Sequence, residues 1–356
     1  MSTAPKHPAP PDALTRAIEK WFGKARRSLP WRPDELGASR DPYACLVSEL
    51  MLQQTQVSRV IERFETFMDR FPSATALAEA DEEEVLALWS GLGYYRRARN
   101  LHAAARAIVD EHHNRFPSEA SDIQSLPGVG RYTAGAIASM AFGERTPVVD
   151  GNVARVLLRI SGDDAPPDSA STQKRLWSQA ADLANAADHP GVLNEALMEL
   201  GALICTPRAP SCERCPARSQ CKARELGRQN ELPTPKRAAR QKELYCDTVR
   251  VRDARGRLLV ERRGTDGLWG GLYQAPTVER SDRHARPSEL LAWIGADALA
   301  RAERFTHRTT HRVVRIRVWD ADPVRGMGSG GRAWRSRRQI GSLALSSPQR
   351  RILLPA

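Results

Sequence analysis

No apolar run in this 356-residue chain comes near the roughly 20 residues needed to cross a bilayer. The opening MSTAPKHPAPPD has no apolar export signal, so a soluble, cytoplasmic protein is expected, with its first ten or so residues disordered. Isolated cysteines are scarce: of six, only Cys45 and Cys246 stand alone. Without export, disulfides are not expected either. Strand-like alternation is missing from the first two thirds of the chain. So is excess positive charge: the first 235 residues hold 28 Lys and Arg against 30 Asp and Glu, a net of −2. These absences point away from a helical membrane protein and from a disulfide-stapled secreted domain.

The positive charge lies elsewhere. Residues 236–356 hold 26 Lys and Arg against 12 Asp and Glu, a net of +14. A basic half points to a polyanion, nucleic acid before membrane. The length predicts about two domains. Residues 12–222 read as all-helical. Asp41 caps a helix that has Pro42 in its first turn, and Asp81 precedes three acids of another helix that stops at Gly91. Helical periodicity continues through 97–112, 132–142, 151–160, 173–186 and 192–204. Residues 223–243 are basic and polar and read as a linker. From 244 the pattern is mixed α and β. A hairpin turns at 253–256, a half-buried strand spans 313–320, and a helix spans 288–297.

Three motifs carry chemistry. In LPGVGRYTAGAIASMAFG, 126–143, a Pro/Gly turn leads straight into an apolar helix. Gly128 and Gly130 permit backbone conformations that other residues resist. The amides of such a turn can converge on a phosphate oxygen. In PVVDGNVARVLLR, 147–159, Asp150 caps the next helix, whose N-terminus favours the ionised carboxylate. Third, Cys205, Cys212, Cys215 and Cys221 fall within seventeen residues. One CxxC with two outlying thiols favours an iron–sulfur cluster over zinc.

Together these motifs resemble the endonuclease III superfamily of DNA glycosylases, over nearly all of 12–222. Bifunctional members carry a lysine just after the hairpin, whose amine attacks the sugar. Here the position is Tyr132, so a weak or absent lyase step is implied. LPWR, SELMLQQTQV, GLGYYRRARNLH and NEALMELGALIC are similar to the MutY-type adenine glycosylases, and GLWGGLYQAP, 267–276, to that family's Nudix-like C-terminal domain. No Nudix hydrolase acid cluster is present, so nucleotide hydrolysis is not expected. The implied fold is an all-α helix-hairpin-helix glycosylase domain with a cluster loop, at 12–222, and an α+β Nudix-like domain, at 244–356. The implied cofactor is a [4Fe–4S] cluster on the four cysteines. The implied partner of this monomer is duplex DNA carrying adenine opposite 8-oxoguanine or guanine. A pyrimidine or mismatch glycosylase/lyase of the same superfamily is the rival.

The stretch VSELMLQQTQV, 47–57, reads as one apolar helix carrying an acid. On a helical wheel Gln53 and Gln56 fall beside Glu49, leucines 46 and 52 border them, and Gln54 faces elsewhere. A desolvated Glu holds its proton near neutral pH, as a general acid must. The resemblance implies that Glu49 protonates adenine and Asp150 stabilises the sugar cation, with Tyr132 and Asn152 beside them. It further implies that Arg32 and Glu195 meet the base edge and that Gln54 and Tyr94 fill the gap left by the flipped base. Arginines 96, 97 and 99 are expected to serve phosphates. Thr310 and His311 match a Ser-His pair that reads the lesion, although Thr309 replaces the family's aromatic there; Phe305–His307 is a rival register.

Overall fold

A computed structural model of the chain describes residues 11–234, 241–324 and 326–355. The helical part comprises α1 (Pro11–Ala25), α2 (Pro42–Leu52), α3 (Val57–Arg70), α4 (Ala74–Ala78), α5 (Glu82–Leu88), α6 (Arg96–Asp110), α7 (Ala120–Ser125), α8 (Arg131–Phe142), α9 (Gly151–Ser161), α10 (Ala170–Ala186), α11 (Pro190–Leu203) and α12 (Lys222–Glu225). The later elements are β1 (Lys242–Val251), β2 (Leu258–Arg262), β3 (Tyr273–Gln274), β4 (Thr277–Arg280), α13 (Pro287–Ile294), β5 (Ala300–Arg308), β6 (Arg312–Ala321), β7 (Arg332–Arg335), α14 (Arg337–Gly341) and α15 (Ser347–Leu353). No described helix is long and apolar enough to cross a membrane.

Two compact units emerge: one runs to Glu79 and resumes at Asn100, while the other holds Ala80–Arg99 and the C-terminal part of the chain. In the first, the caps act as their residue types dictate. Asp41 accepts the Ala44 amide at 2.7 Å, and Asp150 accepts that of Val153 at 2.7 Å. Helices α2, α8, α9 and α11 bury much of the core, including Leu46, Leu50, Ile137, Ala138, Val156, Leu193 and Leu200. Within 223–243, Ala223 is buried and the Leu232 carbonyl accepts Arg159 Nε at 2.7 Å. That stretch up to 234 therefore packs on the helical unit; residues 235–240 lie outside the described part.

The stretch 47–57 is not one helix. Helix α2 ends at Leu52, Gln54 takes a left-handed backbone (φ 57°), and Gln56 caps α3. The break removes Gln56 from the stripe beside Glu49, and no residue preference announced it. Helix α5 likewise ends at Leu88, before Gly91.

The second unit holds two sheets. One runs β4-β1-β6-β5, with β1 and β6 parallel and the outer pairs antiparallel; the other is antiparallel β3-β2-β7. The alternation of β6 places Val314, Ile316 and Val318 in a core with Leu244, Cys246 and Ile352, while Arg315 faces out to Glu243. The turn at 253–256 forms, with Gly256 left-handed, but Arg252–Leu258 is the one bridge it closes. Strands β1 and β2 then diverge into different sheets, so the expected hairpin is a corner. Segment 80–99 packs in this unit: Tyr95 donates to the Leu345 carbonyl at 2.8 Å, and Arg99 Nη2 to that of Gly270 at 2.8 Å.

Candidate active site

Four helices of the first unit supply the candidate site. Glu49 comes from α2, Tyr132 from the start of α8, Asp150 from the cap of α9 and Glu195 from α11. Glu49 is 6% exposed, and burial pushes its carboxyl up to about 7. The Asp150 and Glu195 charges add to the rise, whereas a bond from Tyr132 and the charge of Arg40 oppose it. The Tyr132 hydroxyl has one proton and two takers: Met198 Sδ at 3.0 Å and the Glu49 carboxylate. When Glu49 is ionised, the carboxylate is the stronger acceptor and takes it.

Asp150 behaves less simply than its cap position implies. Burial raises its carboxyl above the usual range, against the Val153 amide and the Asn152 side chain, which donates at 3.1 Å. Asn152 Oδ1 accepts Arg155 Nη2 at 2.8 Å, and Arg155 continues to the Cys205 and Gly201 carbonyls. Gly201 lets α11 approach closely: a Cβ there would meet Asn152 Cβ at 2.6 Å and its carbonyl oxygen at 2.9 Å. Gly201→Ala should therefore cost about 1–3 kcal/mol of stability. It should also slow cleavage on the order of 100-fold by shifting the first turn of α9. Denaturant melts beside single-turnover rates check both.

The Arg32 side chain is 8% exposed and committed: Nε donates to Glu195 Oε1 at 2.8 Å and Nη2 to Glu199 Oε2 at 3.2 Å. Glu199, 1% exposed, also takes Arg27, which holds its carboxyl down at about 2 despite burial. Arg40 reaches Glu195 Oε1 from another direction. Neither Arg40 nor Glu199 stood out in the sequence. An arginine one residue before a helix cap reads as surface, and Glu199 differs from any helical Glu only through partners 172 and 167 positions away.

Gln53 reaches Thr133 Oγ1 at 3.5 Å, while Gln54 is exposed at the α2–α3 turn. Tyr94 is exposed and left-handed (φ 49°) after Gly91 and Gly93, also left-handed; Tyr95 is buried. Non-glycine residues in that region are strained, a state that concentrates at functional sites. Of the three arginines expected at phosphates, only Arg96 is exposed. Arg97 is buried and donates to the Leu92 and Gly93 carbonyls, and Arg99 pairs with Glu82. Gly128 is left-handed (φ 78°), but Gly130 is extended (φ −95°) with open space around it. Its conformation does not require glycine. Thr310 and His311 are exposed on the β5–β6 turn, where Thr310 Oγ1 meets the Tyr94 hydroxyl. Residues 305–307 lie within β5.

The four cysteines line one small cavity with Arg159, Gln229 and others. Burial, and then repulsion from the other thiols, pushes Cys215 up to about 11 and raises Cys212 and Cys221. Arg159, 2% exposed, donates to Cys205 Sγ at 3.2 Å. Among the described residues no three His, Cys, Asp or Glu side chains are placed to hold a single metal ion.

The sequence pattern of the HhH-GPD superfamily of base excision DNA repair proteins matches residues 47–181, and that of the NUDIX domain 248–354. Over 401 aligned positions the chain is 35% identical to the adenine DNA glycosylase of Homo sapiens, covering 96% of this chain and 73% of that protein. The chain belongs to the adenine DNA glycosylase family. It is also 35% identical to the Mus musculus member, covering 96% and 77%. A thermostable thymine-DNA glycosylase of known structure is similar at 28% identity and a TM-score of 0.54, over 61% of this chain and 97% of that one. Membership makes the protein a base-excision N-glycosylase, a hydrolase.

Proposed function

We propose that the protein is a monofunctional glycosylase that hydrolyses the N-glycosidic bond of adenine mispaired with 8-oxoguanine or guanine in duplex DNA. The observation that carries this reading is Glu49, buried and with its carboxyl pushed up to about 7, with the Asp150 carboxylate among the charges acting on it. Two carboxyls, one protonated and one ionised, can divide a glycosidic hydrolysis between them. Glu49 protonates the five-membered ring of the base and makes it a better leaving group. Asp150, whose carboxylate accepts the Val153 amide and the Asn152 side chain, stabilises the oxocarbenium-like sugar and positions water. Tyr132 and Asn152 orient these two carboxyls. Tyr132 cannot form a Schiff base, so no lyase step follows. Arg32 and Glu195 meet the edge of the flipped adenine. Gln54 and Tyr94 enter the gap, as wedge residues do. The turn at Gly128 and Gly130 grips backbone phosphate. Thr310 and His311, on their exposed turn, read 8-oxoguanine.

In this reading 12–222 and 244–356 are the glycosylase and lesion-reading domains, joined by 223–243, in a cytoplasmic, nucleoid-associated monomer. Cys205, Cys212, Cys215 and Cys221 would hold a [4Fe–4S] cluster. The donor set fits: a cluster takes one thiolate per iron around a cavity, whereas the four ligands of zinc converge at about 2.3 Å. When bound, the cluster ties the loop together and offers one-electron chemistry. Arg159 balances the thiolate charge.

The rival is a pyrimidine or mismatch glycosylase/lyase of the same superfamily. Single-turnover incubation with an A:8-oxoguanine duplex decides between them. Strands should stay intact until alkali is added and then break at the adenine, faster than for A:G. Intact strands after alkali would sink the proposal; breakage without alkali would favour the rival.

A further inference from the structure

Glutamates and arginines alternate inside the helical unit. Arg27 donates to Glu199 through its backbone N at 3.0 Å, Nε at 2.8 Å and Nη2 at 2.8 Å. Arg32 bridges Glu199 and Glu195, and Arg40 meets the same Glu195. The Arg40 side chain is only 5% exposed. A guanidinium so buried persists only when paired. Its backbone N also donates to the Met140 carbonyl at 3.3 Å, tying the approach to α2 onto α8.

Both arginines fall on Oε1 of Glu195. Among the described residues Oε2 accepts no donor, which leaves it for an amino group such as that on the edge of adenine. Arg32 divides its donors between two glutamates and the Arg27 carbonyl, so it cannot fix Glu195 by itself. The groups facing Glu49 are Tyr132 from α8, Asp150 from the cap of α9, Glu195 from α11 and Arg40 ahead of α2. Of these, Arg40 is the cation.

We propose that Arg40 is a positioning residue for base excision, holding Glu195 with its free oxygen toward the base while its charge acts on Glu49. This rests on Glu49 as proton donor. The cation favours the carboxylate form of Glu49, so it lowers the pH at which the donor loses its proton. Arg40 and Glu195 also line a cleft of about 250 Å³ with Arg26, Ser39, Met140 and His189. A small cation can enter there.

The test is single-turnover cleavage of an A:8-oxoguanine duplex across pH by full-length Arg40→Met, Arg40→Lys and Arg40→Ala proteins. Arg40→Met should lower the plateau rate on the order of 100-fold. It should also move the alkaline fall-off to higher pH. Arg40→Lys keeps the charge and should keep the fall-off of the wild type at a reduced rate. Arg40→Ala should regain rate when methylguanidinium is added. An unmoved fall-off in Arg40→Met, or the same displaced fall-off in Arg40→Lys, overturns the proposal. If neither Arg40→Met nor Arg40→Ala folds, a displaced fall-off in Arg40→Lys overturns it and an unmoved one upholds it. A wild type that fails to cleave sinks the function itself, whereas normal cleavage with these failures sinks only the role of Arg40.

Discussion

Glu49→Gln should abolish cleavage of A:8-oxoguanine duplex while leaving its binding intact. The glutamine keeps the shape of the side chain and cannot give up a proton, so the loss should be roughly 10³-fold in single-turnover rate. The wild type should follow the protonation of Glu49: a flat rate at low pH, then about a tenfold fall per unit above about 7. The same shift has a consequence for stability. The folded state binds this proton more tightly than the unfolded chain, where the carboxyl titrates near 4.5. Stability from this group is therefore complete below 4.5 and is lost as pH rises through about 7. Glutamine carries no such loss. Near neutral to mildly alkaline pH the variant should unfold later than the wild type, by up to about 3 kcal/mol, and the two should converge in acid. A slower enzyme that is also more stable only on the alkaline side is hard to obtain from a packing defect. Full cleavage by Glu49→Gln would show that the proton comes from elsewhere.

What was legible in the sequence was local chemistry with a short reach. The cysteine spacing, the cap at Asp150, the left-handed Gly128 and the leucines flanking Glu49 all depend on neighbours a few residues away. What was not legible depends on distant partners or on one backbone angle. Gln54 turns left-handed and ends α2, yet glutamine has no special preference for that conformation. Arg40 has meaning only through Glu195, 155 residues on. Arg97 sits in a basic run like any phosphate contact, but the carbonyls of Leu92 and Gly93 turn it inward. The turn at 253–256 has its expected shape, while β1 pairs with β4 and β6 and β2 with β3 and β7, rather than with each other. Turn chemistry sets a reversal and does not choose a sheet.

Asp150→Asn separates the structural and chemical roles of the residue that caps α9. Asparagine caps a helix as well as aspartate does, so the bond from Val153 survives. One contact with Asn152 is weakened, because both facing groups now carry amide donors. The stability cost should stay near 1 kcal/mol. The charge, however, is gone. If that charge stabilises the sugar cation, cleavage should fall on the order of 10²–10³-fold, as when other electrostatic partners of a transition state are removed. A second signature follows from the site itself. The Asp150 charge helps to keep Glu49 protonated. Its loss should move the alkaline fall-off of the remaining activity to lower pH, opposite to the shift expected for Arg40→Met. A variant that melts like the wild type, cleaves at full rate and keeps its fall-off would reduce Asp150 to a helix cap. A slow variant with the fall-off displaced to lower pH would place its charge in the reaction and within reach of Glu49.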